Sequence, residues 1–124
     1  MRSVLLIFAA VALTGCGDTV TRRFATLADA KSQKAFERGW LPPVLPDSAR
    51  AIVERNNLDS NSGTGSFYYE LGERGGYVEA LSQVGAVSRA EEDGDVLTVT
   101  TNGSRWEIRL PRSEGRGEWT TRQL

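Results

Sequence analysis

The sequence predicts an α+β fold: a small antiparallel sheet of about five strands with one packed helix and an N-terminal helical arm. Three observations predict it. Asn102-Gly103 stands between two runs of alternating apolar and polar residues, the strongest short-range signature of a type I′ hairpin. Tyr77, Ala80, Leu81 and Val84 recur at i, i+3, i+4 and i+7, one stripe of a helix. Thr26 is placed as an N-cap with Asp29 at the third helical position, and this opens a helix through Arg38 that Gly39 closes.

Each element has a local reason. The first helix is weakly amphipathic, with Leu27, Ala30, Ala35 and Phe36 as its apolar residues, and Trp40-Leu41-Pro42-Pro43 forbids its continuation. From Trp40 to Ala49 the prolines force an extended path, read as a packed connector. A strand is expected over 51–58, a turn over 59–64 and a second strand over 65–71. In the second strand Phe67, Tyr69 and Leu71 share one face, and Ser66, Tyr68 and Glu70 the other. The Asn102-Gly103 turn pairs Thr101 with Ser104, Val99 with Trp106 and Leu97 with Ile108 on a buried face. Thr100 with Arg105, Thr98 with Glu107 and Val96 with Arg109 then fall on the wet face. A last strand near 118–122 adds Trp119 to the core. Helix, two strands, helix, three strands is an α+β order.

Composition excludes several functions. The chain has 124 residues, enough for one domain, with no histidine and one cysteine. His-based triads, Cys-His dyads, zinc fingers and intramolecular disulfides are therefore impossible. Fifteen Lys and Arg against sixteen Asp and Glu give a net charge of −1, which removes the electrostatic case for nucleic acid.

The N-terminus carries an address. Arg2 precedes ten apolar residues, Val4 to Leu13, the length of a secretory core and too short for the roughly 20 that span a bilayer. Leu13-Thr14-Gly15-Cys16 resembles the lipobox of bacterial lipoproteins. That resemblance implies cleavage between Gly15 and Cys16 and a diacylglyceryl group on the Cys16 thiol. Two or more acyl chains are what make such anchoring stable, since one chain holds only marginally. The expected organisation is a signal peptide over 1–15, an anchor and tether over 16–25, and one domain over 26–124. Without Arg2 the mature charge is 14 − 16 = −2. Gly17 rather than Asp follows Cys16, which for this class implies the outer membrane, facing the periplasm, over the inner one.

Asp59 to Glu70 has an EF-hand-like span, but Gly63 and Thr64 occupy the wrong positions, so a plain turn is expected. Glu91, Glu92, Asp93 and Asp95 around Gly94 read as a solvated loop. Gly72, Gly75 and Gly76 read as a strand-to-helix turn without a phosphate. Trp40 and Tyr68 are the candidate exposed contact residues. No catalytic residue, metal or cofactor is assigned.

Phe36-Glu37-Arg38-Gly39-Trp40-Leu41-Pro42-Pro43 through Leu45-Pro46-Asp47-Ser48-Ala49 and Asn57-Leu58-Asp59-Ser60-Asn61 resembles the YbbD head domain, over about residues 33–72. Ser60 departs from the Thr of that pattern. The resemblance implies a lipid-anchored envelope protein and carries over no catalytic residue. The expected function is a non-enzymatic module, held to the membrane, that binds another envelope protein. The alternatives are a small hydrolase using carboxylates such as Glu70 or Glu92, and an inhibitor of an attacking hydrolase acting through the loop at 59–64.

Overall fold

The chain folds as two antiparallel meanders that meet in the middle of one sheet. The computed structural model describes residues 18–124, so the expected signal peptide, the expected Gly15–Cys16 cleavage point and the expected lipidation of Cys16 lie outside the described residues. The first meander is β1 (Thr19–Thr26), β2 (Arg50–Asn57) and β3 (Ser62–Tyr68). The second is β4 (Val87–Ala90), β5 (Gly94–Thr101), β6 (Ser104–Pro111) and β7 (Arg116–Gln123). The strand order is β1-β2-β3-β7-β6-β5-β4, with every neighbouring pair antiparallel. A 3₁₀ turn (Leu71–Glu73) follows the first meander, and α2 (Arg74–Gln83), α1 (Leu27–Ser32) and the proline-rich connector pack on one face.

This architecture corrects the expected α+β fold of about five strands: the protein is a seven-stranded antiparallel sheet with a few short helices. Two strands account for the difference. Residues 19–25, expected as tether, are β1, paired along β2 from Thr19↔Asn57 to Thr26↔Arg50. Its alternation is Val20, Arg22, Phe24 toward the core, and the arginine at an inward position hides the apolar period. β4 is a four-residue edge strand exposed at every position, so no alternation marks it.

The N-terminal helical arm is also shorter than expected. Thr26 caps α1 as its position implies, its hydroxyl accepting from the Asp29 N–H at 3.2 Å. The α-helix nevertheless ends at Ser32, because Lys34 adopts a left-handed φ of 57°. The Ala35 N–H then donates to the Ala30 carbonyl and the Lys34 N–H to that of Lys31, a Schellman pair around a residue that is not glycine. Gly39 closes a second such turn, with Trp40 N–H on Ala35 and Gly39 N–H on Phe36. The break buries Ala30 and Ala35 together under the sheet.

The expected hairpin register is observed. Leu97↔Ile108, Val99↔Trp106 and Thr101↔Ser104 pair on the core face of β5 and β6. The β2–β3 turn is tighter than 59–64: Asn57 Oδ1 accepts from the N–H groups of Asp59 and Ser60, and β3 begins at Ser62. Leu71, expected inward, is exposed, because the chain leaves the sheet after Tyr68.

The seam between the meanders is a β3–β7 ladder in which glycine faces an aromatic ring twice: Gly65 opposite Trp119, and Phe67 opposite Gly117. A Cβ at Gly65 would overlap the Trp119 indole, and one at Gly117 the Phe67 ring. Glycine is required there so that each ring can lie on the facing backbone. Phe67 also meets Tyr77 of α2 edge-on at 5.8 Å, and the Tyr77 hydroxyl donates to the Val44 carbonyl at 3.0 Å. Seam, helix and connector thus share one aromatic cluster.

One charged pair enters this core. Glu54, 3% exposed, accepts from Arg22 at 3.0 Å, and the Arg22 guanidinium lies 3.7 Å from the centre of the Trp40 ring. Burial pushes the Glu54 carboxyl up, while the hydrogen bond and charge of Arg22 oppose the rise.

Two outcomes are expected. Gly65→Ala lowers stability by about 3 kcal/mol, because the indole has to leave its rotamer or the seam has to open. A melting temperature within a degree or two of wild type would refute it. Arg22→Met alone destabilises by about 3 kcal/mol by stranding a buried carboxylate, whereas Arg22→Met with Glu54→Met costs markedly less. Urea unfolding of both variants checks the pair, and equal losses would show that packing rather than charge is what Arg22 supplies.

Candidate functional site

Because side chains alternate along a strand, each residue aimed at the core leaves its neighbours on the other face, which no helix among the described residues covers. The register places that open face in rows across the sheet. One row runs Thr19, Asn57, Ser62, Arg122, Arg105, Thr100. The next runs Thr21, Arg55, Thr64, Thr120, Glu107, Thr98. A third runs Arg23, Val53, Ser66, Glu118, Arg109, Val96 and ends on Arg89. Arg116 stands beyond it, beside Tyr68.

Seven of the fifteen cationic residues, all arginines, therefore share one sheet face: 23, 55, 89, 105, 109, 116 and 122. The net charge of −1 conceals this segregation, since most carboxylates lie elsewhere. Two glutamates stand among the arginines. Glu107 pairs with Arg89 at 3.9 Å and Arg109 at 3.6 Å, and Glu118 pairs with Arg116. Glu91, from the β4–β5 turn, adds contacts of 3.1 Å to Arg89 and Arg109. Val96 is 2% exposed although it lies on this face, flanked by the paired Arg89 and Arg109, whose aliphatic stems suit such cover.

Arg23, Arg55, Arg105 and Arg122 form no ion pair among the described residues. Residues 1–17 contain no Asp or Glu that could supply one. A hollow of about 460 Å³ opens between Arg23, Arg55, Ser66, Glu107, Arg109 and Glu118. A second, of about 500 Å³, is lined by Ser62, Thr64, Arg105, Thr120 and Arg122 among others. Guanidinium forks flanked by hydroxyls bind carboxylate and phosphate groups in two-point geometry.

The residues singled out from sequence fare differently. Tyr68 is on this face, 45% exposed, with the Arg116 guanidinium 5.8 Å from its ring centre. Trp40 is on the other side, half-buried between Arg22 and Arg38, and serves the core. The Glu91–Asp95 cluster is dispersed: Asp95 is held by Arg74 at 2.6 Å, and the Glu91 and Glu92 carbonyls accept from Arg112. Glu70 is exposed and pairs with Arg50 at 3.5 Å. Residues 62–64 belong to β3 rather than to a protruding loop. Among the described residues no group of three or more His, Cys, Asp or Glu is placed to hold a metal ion, and no helix is long and apolar enough to cross a membrane.

The arginine face was only half readable from sequence. The hairpin register alone puts Arg105 and Arg109 on the wet side. Arg23 sits in the unforeseen β1, and Arg116 and Arg122 join the face only through the β3–β7 and β6–β7 ladders.

Comparison with known proteins matches residues 18–68 to the YbbD head domain. The matched segment is the whole first meander with α1 and the connector, so it starts earlier than the resemblance read from sequence and ends at Tyr68. No curated protein and no solved structure matches the chain.

Asp95 supplies the expected pH dependence. The Arg74 hydrogen bond, with the charges of Arg74 and Arg112, holds its carboxyl below the ordinary value of 3.8 despite some desolvation. A lowered folded pKa contributes stability that is present above 3.8 and is lost as pH falls through the folded value. Asp95→Asn should therefore flatten the acid side of a melting-temperature profile taken between about pH 2 and 5. A variant whose acid slope equals that of wild type would remove Asp95 from this role.

Proposed function

We propose that the chain is a lipid-anchored, non-enzymatic binding module of the bacterial envelope that engages an acidic envelope component through the open face of its sheet. The observation that carries the binding role is the arginine face itself. Seven guanidinium groups stand on rigid strands, four of them without a carboxylate among the described residues. A rigid strand surface positions such forks at low entropic cost.

The anchoring role is supported by sequence: the apolar core Val4 to Leu13 and the lipobox-like Leu13-Thr14-Gly15-Cys16. With Gly17 after the acylated Cys16, the site of action is the periplasmic side of the outer membrane. The match to the YbbD head domain over residues 18–68 covers the strands that bring Arg23 and Arg55 to the face.

Intact mass and membrane partitioning of the protein from a bacterial host test the anchor. Wild type is expected to begin at Cys16 with acyl chains and to sediment with membranes, and Cys16→Ser to be soluble or uncleaved. Soluble wild type cleaved elsewhere would overturn the anchor. For the face, Arg55→Glu with Arg109→Glu should keep the anchor and the fold but lose the envelope components that wild type retains. Unchanged retention would overturn the binding face.

A further inference from the structure

Arg105 and Arg122 are direct partners across β6 and β7 and share the open face. Like charges directly opposite on a sheet are destabilising. Neither has a carboxylate among the described residues, and the nearest one along β6, Glu107, is engaged by Arg89 and Arg109. Ser62, Thr64 and Thr120 line the hollow beside the pair with hydroxyls, and the engaged Glu107 also lines it. The site is built to be neutralised from outside by an anion.

The position of the pair in the fold says which anion. Its row begins at Thr19, the first residue of β1, three residues after Cys16, and three residues span at most about 10 Å. The same end of the sheet carries the β2–β3 turn with Leu58, 53% exposed, and the Asn102–Gly103 turn, to which the exposed Leu124 is hydrogen-bonded. Glu70, Glu92, Asp93 and Glu114 stand at the opposite end of the strands. The end where the chain enters thus carries exposed leucines beside an arginine pair with no carboxylate of its own, whereas the acids at the far end stand among Arg50, Arg74, Arg112 and Arg116. Asp18 and Asp59 are the acids at the entry end, and the neighbouring Asp18 pushes the Asp59 carboxyl up.

We propose that this end docks on the phosphate layer of an anionic lipid leaflet, with Arg105 and Arg122 gripping lipid phosphates and Leu58 entering the headgroup region. That the leaflet is the one holding the protein's own acyl chains rests on the anchor reading above. The lipid chains then hold the domain, and the arginine pair orients it, leaving the Arg23–Arg109 part of the face free for a partner.

The test uses the mature chain from residue 16 with Cys16→Ser, so that no acyl chain contributes, and sedimentation with vesicles of phosphatidylcholine alone or mixed with phosphatidylglycerol. Binding is expected only to the mixed vesicles and is expected to weaken with salt. Replacing Arg105 and Arg122 by Gln should weaken it about 25-fold, at roughly fivefold for each arginine near the surface, while Lys31→Gln, in α1 away from the open face, leaves it within twofold. Equal binding to both vesicle types, no binding at low salt, or an unaffected Arg105→Gln/Arg122→Gln protein with wild-type melting would overturn the proposal. So would binding of inorganic phosphate or an acidic peptide without vesicle binding. Acylated wild type whose Cys16→Ser form ignores vesicles rejects the docking alone, and vesicle binding by a chain never acylated in its host rejects the anchor alone.

Discussion

Everything in this molecule hangs on Phe67 and the glycine opposite it. The two meanders touch each other through one ladder, β3 against β7, and that ladder closes only because Gly117 lets the Phe67 ring lie flat on the facing strand while Gly65 does the same for Trp119. Those pairings let large rings sit at the sheet centre without pushing the strands apart. The same Phe67 ring packs against Tyr69, Tyr77 and Trp119, with centroid separations from 5.7 to 6.1 Å. Through Tyr77 it positions α2, and through the Tyr77 hydroxyl it positions the connector at Val44. A loss at this point would therefore spread to both layers.

The binding surface is a consequence of that core. Period-two geometry means that committing Phe67, Trp106, Ile108 and Trp119 inward commits Ser66, Arg105, Glu107, Arg109 and Glu118 outward. Among the described residues the helices and the connector are on the inner side, and the outer side carries polar groups. What is specific to this chain is that those outward positions are so often arginine, with hydroxyl residues between. Strands rather than loops hold the guanidinium groups, so their spacing is set by the ladder, near 4.8 Å from strand to strand.

Legibility from sequence tracked how local each signal was. The Asn102-Gly103 turn dictates its own register because a two-residue loop admits one pairing, and the β5–β6 ladder follows it residue for residue. The Thr26 cap is equally local and equally visible, and of the expected stripe Tyr77 and Leu81 are buried, while Val84 lies past the end of α2 and is exposed. β1 was missed because Arg22 occupies an inward position that only a distant residue, Glu54, makes tolerable. β4 was missed because an exposed four-residue edge leaves no apolar trace. The early end of α1 depends on burying Ala30 and Ala35 together, a demand of the sheet rather than of the helix.

By itself, then, the sequence determined the elements whose cause lies within a few residues: the hairpin, the capped helix start and the proline connector. Only the tertiary structure decided what needs residues far apart in the chain. It set the seven-strand order, assigned Trp40 to the core and Tyr68 to the surface, and gathered Arg23, Arg55, Arg109 and Arg122 from four strands onto one face. The physical reason is that a strand's alternation says which residues share a side but not which side is covered. That choice is made by long-range packing of aromatic rings on glycine, whose partners lie some fifty residues apart along the chain.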